Sequence, residues 1–412
     1  MKYGLIGERL GHSFSKSIHE ALADYTYETC ELEREALTEF FKKREFEAIN
    51  VTIPYKEVVM ELIDEIDPAA LAIGAVNTVV KRDGKLYGYN TDIYGMTKLF
   101  GHAGIEVGGK KVAILGTGGT SKTAYACANA LGASEVIRVS RTSREDAISY
   151  EQLYAEHADA EIIVNTTPSG MYPTVEGCPV DLGKLPRVSG VIDAVYNPMR
   201  TELVMNALEN GIAAEGGLYM LVAQAVKASE LFIGRSYDEG ATERVYQKIC
   251  REKENVVLIG MPSSGKSSVG AVLKNALGRD FKDTDAEIVR REGEDIPSIF
   301  RERGESAFRD AESAAVAECA RGSSLIIATG GGAILRKENV RALKRTGRLY
   351  FIDRPLELLI PTGDRPLSST RAAVEERYRE RYPIYKAVCD VHIDGSGSVG
   401  EVAERIIKEF CK

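Results

Sequence analysis

Two glycine-rich turns, each placed directly after an apolar strand, constrain the fold of this chain more than any other feature of its sequence. The first, GTGGTS at 116–121, follows KVAILG at 111–116, and the second, GMPSSGKSS at 260–268, follows NVVLIG at 255–260. A strand, a glycine-rich turn and a helix in succession are the means by which α/β domains hold phosphate, because the turn exposes backbone N–H groups at the helix start. The sequence therefore predicts two phosphate-binding α/β domains.

Size, charge and cysteine content narrow the class of protein. At 412 residues the chain is too long for one ordinary core, so two or three domains are expected. The net charge of -8 argues against a nucleic-acid binder. No apolar run approaches the roughly 20 residues that span a bilayer, and the N-terminus has no signal-like apolar block. The seven cysteines lack CxxC spacing, which favours unpaired thiols in a reducing compartment. We predict a cytoplasmic protein with neither nucleic-acid nor membrane partners, and its oligomeric state stays open.

Short apolar strands alternate with amphipathic helical stretches along the chain, which indicates α/β architecture. A charged helical stretch at 241–254 ends just before a new strand, and we place the main boundary near Glu252. The predicted domains are residues 1–252 and 253–412. The strand candidates are YGLIG at 3–7, EAINVTI at 47–53, KVAILG at 111–116, EVIRVS at 135–140, EIIVNTT at 161–167, VIDAVY at 191–196, NVVLIG at 255–260, LIIATG at 325–330 and RLYFID at 348–353.

The turn at 116–121 has the context of a dinucleotide-binding fingerprint, since it follows a strand and opens a helix. Ser121 stands where the third small residue of that fingerprint would be. An NAD-binding fold normally ends the next strand with an acidic residue for the ribose hydroxyls, but here the strand ends SRT at 140–142, with Arg144 close by. Arginines attract a 2′-phosphate that a carboxylate would repel. The sequence favours NADP over NAD, and a solvated basic turn is the alternative.

Six further stretches of the first domain resemble the shikimate dehydrogenase family in order and spacing. They are GHSFS at 11–15, NVTIPYK at 50–56, AVNTV at 75–79, GYNTD at 88–92, VYNPMRTEL at 195–203 and GGLYMLVAQA at 216–225. The resemblance covers nearly all of residues 1–250. It implies a substrate lobe at about 1–97 plus 218–250, a Rossmann-like NADP lobe at about 98–217, and catalysis in the cleft between the lobes.

Lys56 and Asp92 form a candidate acid–base pair. When hydride reaches a ketone carbon the developing alkoxide needs a proton, which a lysine near the oxygen can donate while an aspartate orients the ammonium. The resemblance assigns the donor role to Lys56 and the partner role to Asp92. The substrate contacts it implies are Ser13, Ser15, Thr52, Lys56, Asn77, Asp92, Tyr196 and Gln224. The candidate NADP contacts in the glycine-rich turn and the following strand end are Gly116, Thr117, Gly118, Gly119, Thr120, Ser140, Arg141, Thr142 and Arg144. The resemblance adds Gly217 and Met220.

The first substrate stretch departs from the family, which often has HSKSP where this chain has HSFSKS. Phe14 and Lys16 replace lysine and proline, which keeps both serines but alters the loop. A related group of enzymes also oxidises quinate, so a quinate side activity stays open.

The turn at 260–268 fits the P-loop pattern G-x-x-x-x-G-K-[ST] between a strand and a helix. Its backbone N–H groups form a nest for phosphates, Lys266 supplies a charge near the β- and γ-phosphates, and Ser267 can ligate Mg²⁺. The downstream stretch FKDTDAE places Asp283 and Asp285 on the same side of a strand end. One carboxylate can then reach the water shell of the metal while the other accepts a hydroxyl proton.

Arginines in the second domain predict an anionic substrate, because planar guanidinium groups match a carboxylate. Arg309 lies in FRDAE, Arg365 lies in DRPL within a predicted lid near 357–372, and Arg381 lies in RERYPIY. A glycine loop, TGGGA at 329–333, lies between the first two in sequence.

Residues 253–412 resemble the shikimate kinase family, which implies a five-stranded parallel sheet flanked by helices. The resemblance makes Asp285 the base for the substrate hydroxyl, Lys266 a catalytic charge, and Asp283 a support for Mg²⁺, whose direct ligand is Ser267. The implied substrate contacts are Asp285, Arg309, Gly331 and Arg381. The implied ATP contacts are Ser263, Ser264, Gly265, Lys266, Ser267, Ser268 and Arg365. Where the family usually carries a further arginine before the lid, this chain has Leu358 and Leu359, so nucleotide affinity or purine preference is expected to differ.

Together the resemblances imply consecutive steps of chorismate and aromatic amino acid biosynthesis. The first domain would reduce 3-dehydroshikimate to shikimate with NADPH, and the second would phosphorylate shikimate on its 3-hydroxyl with ATP and Mg²⁺. One alternative is that the second domain phosphorylates a different small hydroxy acid, as a gluconate-type kinase does. Another is a nucleotide-sensing regulator with degenerate sites, which the presence of Lys56, Asp92, Lys266 and Asp285 disfavours.

Overall fold

The computed structural model describes residues 1–11, 13–142, 145–360 and 370–411. The chain divides into two compact units, Met1–Ile249 and Cys250–Lys412. The division falls inside the helix Ala241–Lys253. In the part of the chain that is described, no helix is both long and apolar enough to cross a membrane.

A mixed six-stranded sheet forms the first part of the first unit, in the order β2-β1-β3-β5-β6-β4. Its strands are β1 (Tyr3–Gly7), β2 (Tyr27–Glu31), β3 (Ala48–Val51), β4 (Glu65–Ile66), β5 (Thr78–Arg82) and β6 (Lys85–Tyr89). Its helices are α1 (Ser15–Leu22), α2 (Arg34–Lys43) and α3 (Pro68–Ile73), with a 3₁₀ turn at Val58–Glu61. β5 and β6 form a hairpin whose two turn residues, Asp83 and Gly84, both have positive φ, as the favoured two-residue turn requires. β3 also pairs antiparallel with β5, whereas the other strand pairs of this sheet are parallel.

A parallel five-stranded sheet forms the second part of this unit, in the order β11-β10-β9-β7-β8. Its strands are β7 (Lys111–Leu115), β8 (Glu135–Val139), β9 (Ile162–Asn165), β10 (Gly190–Asp193) and β11 (Ala213–Glu215). The helices are α4 (Asp92–His102), α5 (Gly119–Ala130), α6 (Tyr150–Glu156), α7 (Glu202–Glu209), α8 (Leu218–Ile233) and α9 (Ala241–Lys253), with a 3₁₀ turn at Leu182–Lys184. β7, β9 and β10 are buried along almost their whole length, as expected for a sheet covered on both faces. Strand order reverses between β7 and β9, so a crevice opens beyond their carboxyl ends.

The second unit is built on a five-stranded sheet in the order β13-β14-β12-β15-β16, all parallel. Its strands are β12 (Asn255–Ile259), β13 (Asp280–Asp283), β14 (Leu325–Ala328), β15 (Gly347–Asp353) and β16 (Val391–Asp394). Its helices are α10 (Lys266–Leu277), α11 (Thr284–Glu292), α12 (Ile296–Ala320), α13 (Lys337–Thr346), α14 (Arg371–Val388) and α15 (Val399–Phe410), with 3₁₀ turns at Ala333–Leu335 and Leu356–Leu358. The predicted α/β class and the predicted five-stranded parallel sheet are confirmed. Most of the predicted lid, with Arg365, lies outside the described residues.

Candidate active sites

A cleft of about 840 Å³ in the first unit gathers side chains from both of its sheets. Its wall includes every site residue that the sequence predicts for this unit except Arg144, which lies outside the described residues. These wall residues are Ser13, Ser15, Thr52, Lys56, Asn77, Asp92, Gly116, Thr117, Gly118, Gly119, Thr120, Ser140, Arg141, Thr142, Tyr196, Gly217, Met220 and Gln224. The candidate acid–base pair and the glycine-rich turn therefore face one space.

Lys56 and Asp92 are in direct contact in this cleft, with the ammonium Nζ 2.6 Å from the carboxylate Oδ2. Both side chains are largely buried, at 20% and 12% exposed. Asp92 is the first residue of α4, and its backbone N–H donates to Asn90 Oδ1 at 3.0 Å. A charge-assisted bond of this length fixes the ammonium in one place, so Lys56 is oriented to give a proton to a group in the cleft.

Asn77 holds the second oxygen of Asp92. Its Nδ2 donates to Asp92 Oδ1 at 2.8 Å and also reaches Thr91 Oγ1 and Gln224 Oε1 at 3.0 and 3.4 Å. Its Oδ1 accepts from the Thr91 backbone N–H at 2.8 Å. The amide is thereby fixed in one orientation, and Asn77 positions the acid–base pair as well as lining the cleft.

Asn50 is a cleft residue that the sequence reasoning missed. Its Nδ2 donates to Thr78 Oγ1 at 3.0 Å, and its Oδ1 accepts from the Tyr27 hydroxyl at 2.7 Å. Thr78 in turn donates to Asn77 Oδ1 at 3.0 Å. Asn50 is a polar residue in β3, a strand that is otherwise apolar and is fully buried. Because buried polar groups need hydrogen-bond partners, an asparagine in such a strand could have indicated a polar site in the sequence.

The two predicted serines lie at the entrance to α1. Ser13 Oγ donates to Ser15 Oγ at 3.1 Å and accepts from the Ser15 backbone N–H at 3.2 Å. Phe14, which departs from the family pattern, packs its ring edge-on against Tyr196 with 5.3 Å between ring centroids. The loop at 13–15 is thus in contact with Tyr196, and the residues of both hydroxyls line the cleft.

The glycine-rich turn is open on the side that faces the cleft. Gly116 has φ 106°, and a Cβ there would lie 2.9 Å from Thr166 Oγ1, so only glycine allows β7 to end this close to the β9 loop. A Cβ at Gly118 or Gly119 would meet nothing within 4 Å. The backbone at the start of α5 is therefore accessible to a pyrophosphate, which fits a dinucleotide.

The loop after β8 carries the residues predicted to select the cofactor. Arg141 and Thr142 are exposed, and the Thr142 backbone N–H donates to Ser140 Oγ at 3.2 Å. Beyond the loop, Ile148 pairs back onto this strand, with Ser140 N donating to Ile148 O at 2.9 Å. Tyr150, a wall residue that the sequence reasoning missed, lies two residues after Ile148 and begins α6. Ser140 and Ile148 are therefore held together by a backbone hydrogen bond, and Arg141 and Thr142 are exposed in the cleft wall.

A second cleft of about 630 Å³ lies in the second unit beside the P-loop. The sequence-predicted residues in its wall are Ser263, Gly265, Lys266, Ser267, Ser268, Asp283, Asp285, Arg309, Gly331 and Arg381. Ser264 is not in the wall: its side chain is buried, and its hydroxyl has no hydrogen-bond partner among the described residues.

The P-loop side chains are placed for a nucleotide and a divalent cation. Lys266 Nζ donates to the carbonyl oxygens of Gly260 and Met261 at 2.8 and 2.9 Å. Ser267 Oγ donates to Asp283 Oδ2 at 2.6 Å. A hydroxyl and a carboxylate next to a phosphate nest are hard oxygen ligands of the kind Mg²⁺ takes, so these residues fit the ion.

The prediction that Asp283 and Asp285 share a strand end is wrong for Asp285. Asp283 ends β13 and caps α11, because its Oδ1 accepts from the Asp285 backbone N–H at 2.9 Å. The helix consequently begins at Thr284, and Asp285 lies in its first turn. Both carboxylates still line the cleft.

Two buried arginines and one buried glutamate form the far wall. Arg309 Nη1 donates to Glu312 Oε2 at 2.6 Å, and Glu312 is 1% exposed. Burial raises the pKa of the Glu312 carboxyl against the opposing effect of Arg309, and burial lowers the pKa of the Arg381 guanidinium. Arg309 also pairs with the exposed Glu305 at 3.1 Å, so both carboxylates engage Arg309. Arg381 forms no ion pair with any residue that the structure describes, so its buried guanidinium favours an anionic ligand. The sequence reasoning missed Glu312, although its position three residues after Arg309 on a helix was a usable signal.

The glycine loop approaches the P-loop closely. A Cβ on Gly331 would lie 2.7 Å from Pro262 Cδ. The Gly331 carbonyl accepts from Arg381 Nη1 at 3.0 Å. Gly331 therefore allows the glycine loop to lie in contact with both the P-loop and Arg381.

Known proteins match both units. Residues 5–79 match the family model for the shikimate dehydrogenase substrate binding domain, and residues 262–411 match the model for shikimate kinase. The shikimate dehydrogenase (NADP(+)) of Clostridium perfringens strain SM101 is 36% identical over 268 residues, which cover 60% of this chain and 98% of that protein. The chain belongs to the shikimate dehydrogenase family. It carries a shikimate kinase domain after its dehydrogenase unit.

Solved structures agree with this membership. Shikimate dehydrogenase 1 from Peptoclostridium difficile matches with a TM-score of 0.56 at 36% identity, covering 60% of this chain and 98% of that one. A chorismate mutase/shikimate 5-dehydrogenase fusion protein from Clostridium acetobutylicum matches with a TM-score of 0.57 at 34% identity, covering 60% and 96%. The second of these is also a fusion, so a dehydrogenase of this family occurs joined to another enzyme.

Proposed function

We propose that the chain catalyses two consecutive reactions of the shikimate pathway. Residues 1–252 reduce 3-dehydroshikimate to shikimate with NADPH, and residues 253–412 phosphorylate shikimate on its 3-hydroxyl with ATP and Mg²⁺. The observation that carries the proposal is that each unit gathers its own complete reacting set in one cleft, Lys56 with Asp92 in the first and Lys266 with Asp285 in the second.

In the dehydrogenase unit, bound NADPH supplies the hydride. We assign the substrate lobe to about 1–97 plus 218–250 and the NADP lobe to about 98–217. Lys56 gives a proton to the ketone oxygen of the substrate, and Asp92 holds the ammonium in place. Ser13 and Ser15 bind the substrate carboxylate. The remaining substrate contacts are Thr52, Asn77, Tyr196 and Gln224, and Gly217 and Met220 lie on the nicotinamide side.

In the kinase unit, bound MgATP supplies the phosphoryl group. Asp285 accepts the proton of the attacking hydroxyl, and Arg309 and Arg381 bind the substrate carboxylate. Ser267 and Asp283 hold the metal, and Lys266 holds the phosphates. Arg365 would close over them from the lid, and lid closure would exclude water.

Cofactor choice is expected to depend on Arg141. Replacing Arg141 by alanine removes a charge-assisted contact to the 2′-phosphate, a contact of about 1.5–3 kcal/mol, and should raise the KM for NADPH about 10- to 100-fold. The KM for NADH should change little, because NADH has no phosphate there. Initial rates with both cofactors test this. The control is Arg187→Ala, which changes an exposed arginine outside the cleft. If Arg141→Ala raises the KM for NADPH and the KM for NADH equally, the assignment of Arg141 is contradicted.

A two-stage assay tests the proposed function. In the first stage, purified protein is mixed with 3-dehydroshikimate and NADPH, and the loss of NADPH absorbance is followed. In the second stage, ATP and Mg²⁺ are added and the ADP formed is measured. NADPH oxidation followed by shikimate-dependent ADP formation is expected. Oxidation without ADP would overturn the assignment of shikimate as the kinase substrate, and a panel of small hydroxy acids would then test the alternative substrates. Quinate with NADP⁺ tests the side activity.

We also propose that the enzyme works in the cytoplasm. Both reactions consume NADPH or ATP, which that compartment supplies, and the described residues contain no disulfide, as in a reducing environment.

A further inference from the structure

The hydroxyl of Tyr385 lies between the two loops of the kinase cleft. It is 2.8 Å from the carbonyl oxygen of Gly260, which opens the P-loop, and 2.6 Å from the carbonyl oxygen of Gly331, in the glycine loop. Tyr385 is fully buried on α14, and its ring stacks on Phe351 with 5.0 Å between centroids. The hydroxyl is thereby held at a fixed point between the nucleotide side and the substrate side.

The single proton of the Tyr385 hydroxyl allows two hydrogen-bonding arrangements. A tyrosine hydroxyl has one proton to donate, and carbonyl oxygens have none. Burial raises the pKa of Tyr385 well above its usual value, so the hydroxyl keeps that proton. It can make a full hydrogen bond to Gly260 or to Gly331, but not to both at once.

Each carbonyl has a second donor, and each of these donors belongs to a different binding site. Lys266 Nζ donates to the Gly260 carbonyl at 2.8 Å. Arg381 Nη1 donates to the Gly331 carbonyl at 3.0 Å. A chain of polar contacts therefore runs from Lys266 through Tyr385 to Arg381, and the single Tyr385 proton completes a hydrogen bond on only one side of it at a time.

We infer that Tyr385 is a positioning residue that couples nucleotide binding to substrate binding in the kinase cleft. When Lys266 turns its ammonium towards a phosphate, the Gly260 carbonyl loses a donor and draws the Tyr385 proton. The Gly331 carbonyl then relies on Arg381, which holds that guanidinium more firmly in the substrate wall. Linkage requires the converse, so bound substrate favours the nucleotide by the same factor. This inference rests on the proposed shikimate kinase function.

The test measures coupling rather than rate. Isothermal calorimetry on the full chain gives the Kd of MgADP with and without saturating shikimate, because MgADP is assigned to the kinase cleft alone whereas shikimate is assigned to both clefts. We expect shikimate to tighten MgADP binding about fivefold, at the lower end of common coupling, in the wild type. In Tyr385→Phe, which removes only the hydroxyl, the ratio of the two Kd values should fall to about one, while the Kd of each ligand alone changes less than about threefold.

Tyr382→Phe is the matched control. Tyr382 lies one turn earlier on the same helix, and its hydroxyl donates to Asp353 Oδ2 at 3.0 Å, outside the cleft. It should keep the wild-type ratio. Thermal unfolding with each ligand alone and with both gives a second readout. In the wild type and in Tyr382→Phe, the stabilisation by both ligands together should exceed the sum of the two single-ligand stabilisations. In Tyr385→Phe it should equal that sum.

The outcomes separate this inference from the proposed function. A wild type that forms no ADP with shikimate would overturn the kinase assignment itself. A wild type that phosphorylates shikimate without coupling, or Tyr385→Phe with an unchanged ratio, would overturn only the role of Tyr385. If Tyr385→Phe binds neither ligand and unfolds at a lower temperature than the wild type, that role is also overturned, because the hydroxyl would then be a structural support.

Discussion

Asp285→Asn is expected to lower the rate of shikimate phosphorylation by about 10³-fold, within the range that a general base contributes. Asparagine has the same shape but cannot take the proton of the attacking hydroxyl. Asp283 caps α11 through its own carboxylate, so the helix that carries position 285 should stay in place. The loss should therefore appear in kcat, with little change in the KM for shikimate, and ADP formation measures it.

Two controls accompany this variant. Asp280→Asn changes an exposed aspartate at the start of β13, the strand that precedes α11, outside the cleft, and should retain full kinase activity. NADPH oxidation by Asp285→Asn should equal that of the wild type. Substantial phosphorylation by Asp285→Asn would remove the residue from the role of base.

Lys56→Met should lower the rate of 3-dehydroshikimate reduction by about 10³-fold, again on the scale of general acid catalysis. Methionine keeps the apolar stem of the side chain but cannot donate a proton. Asp92 would keep its bond to Asn77 at 2.8 Å, so the wall around the missing ammonium should persist. The measurement is kcat for NADPH oxidation under saturating substrate.

Lys85→Met provides the comparison for this second variant. Lys85 also pairs with a carboxylate, Glu65, at 2.9 Å, but both side chains are about half exposed or more and lie outside the cleft. Losing that pair should leave reduction unchanged, since exposed ion pairs contribute little. Shikimate phosphorylation should be normal in both lysine variants. If Lys56→Met reduces substrate at a wild-type rate, the proton comes from elsewhere.

Most interior strands could be predicted from the sequence, and the edge strands, apart from β8, could not. β7 and β12 are continuous apolar runs that end in glycine-rich turns, so hydrophobicity and turn chemistry agree. β2, β13 and β16 are edge strands with mostly exposed or half-buried residues. Their pairing depends on a neighbouring strand that is distant in sequence, which no local pattern reports.

The site residues divide in a similar way. The presence of Lys56, Asp92, Lys266 and Arg309 in the two clefts could be predicted because each lies in a stretch whose residue types suit one chemistry, and their roles stay predictions. Asn50 and Glu312 act through other side chains, at distances that only the folded chain defines. Asp285 was placed on the wrong element because the capping bonds of Asp283 were not considered. Arg144 and Arg365 stay predictions, since they lie outside the described residues.

The hydrogen bonds of Asn77 have a consequence for enzyme engineering. Its single amide group links Asp92, Thr91 and Gln224, so a library that varies Gln224 to change substrate range would also disturb the carboxylate that orients Lys56. The hydrogen bonds of Ser13 to Ser15 stay within their own loop. Mutagenesis aimed at a different acidic group on the substrate should therefore begin at that loop, where selectivity can change while the Lys56–Asp92 pair stays in position.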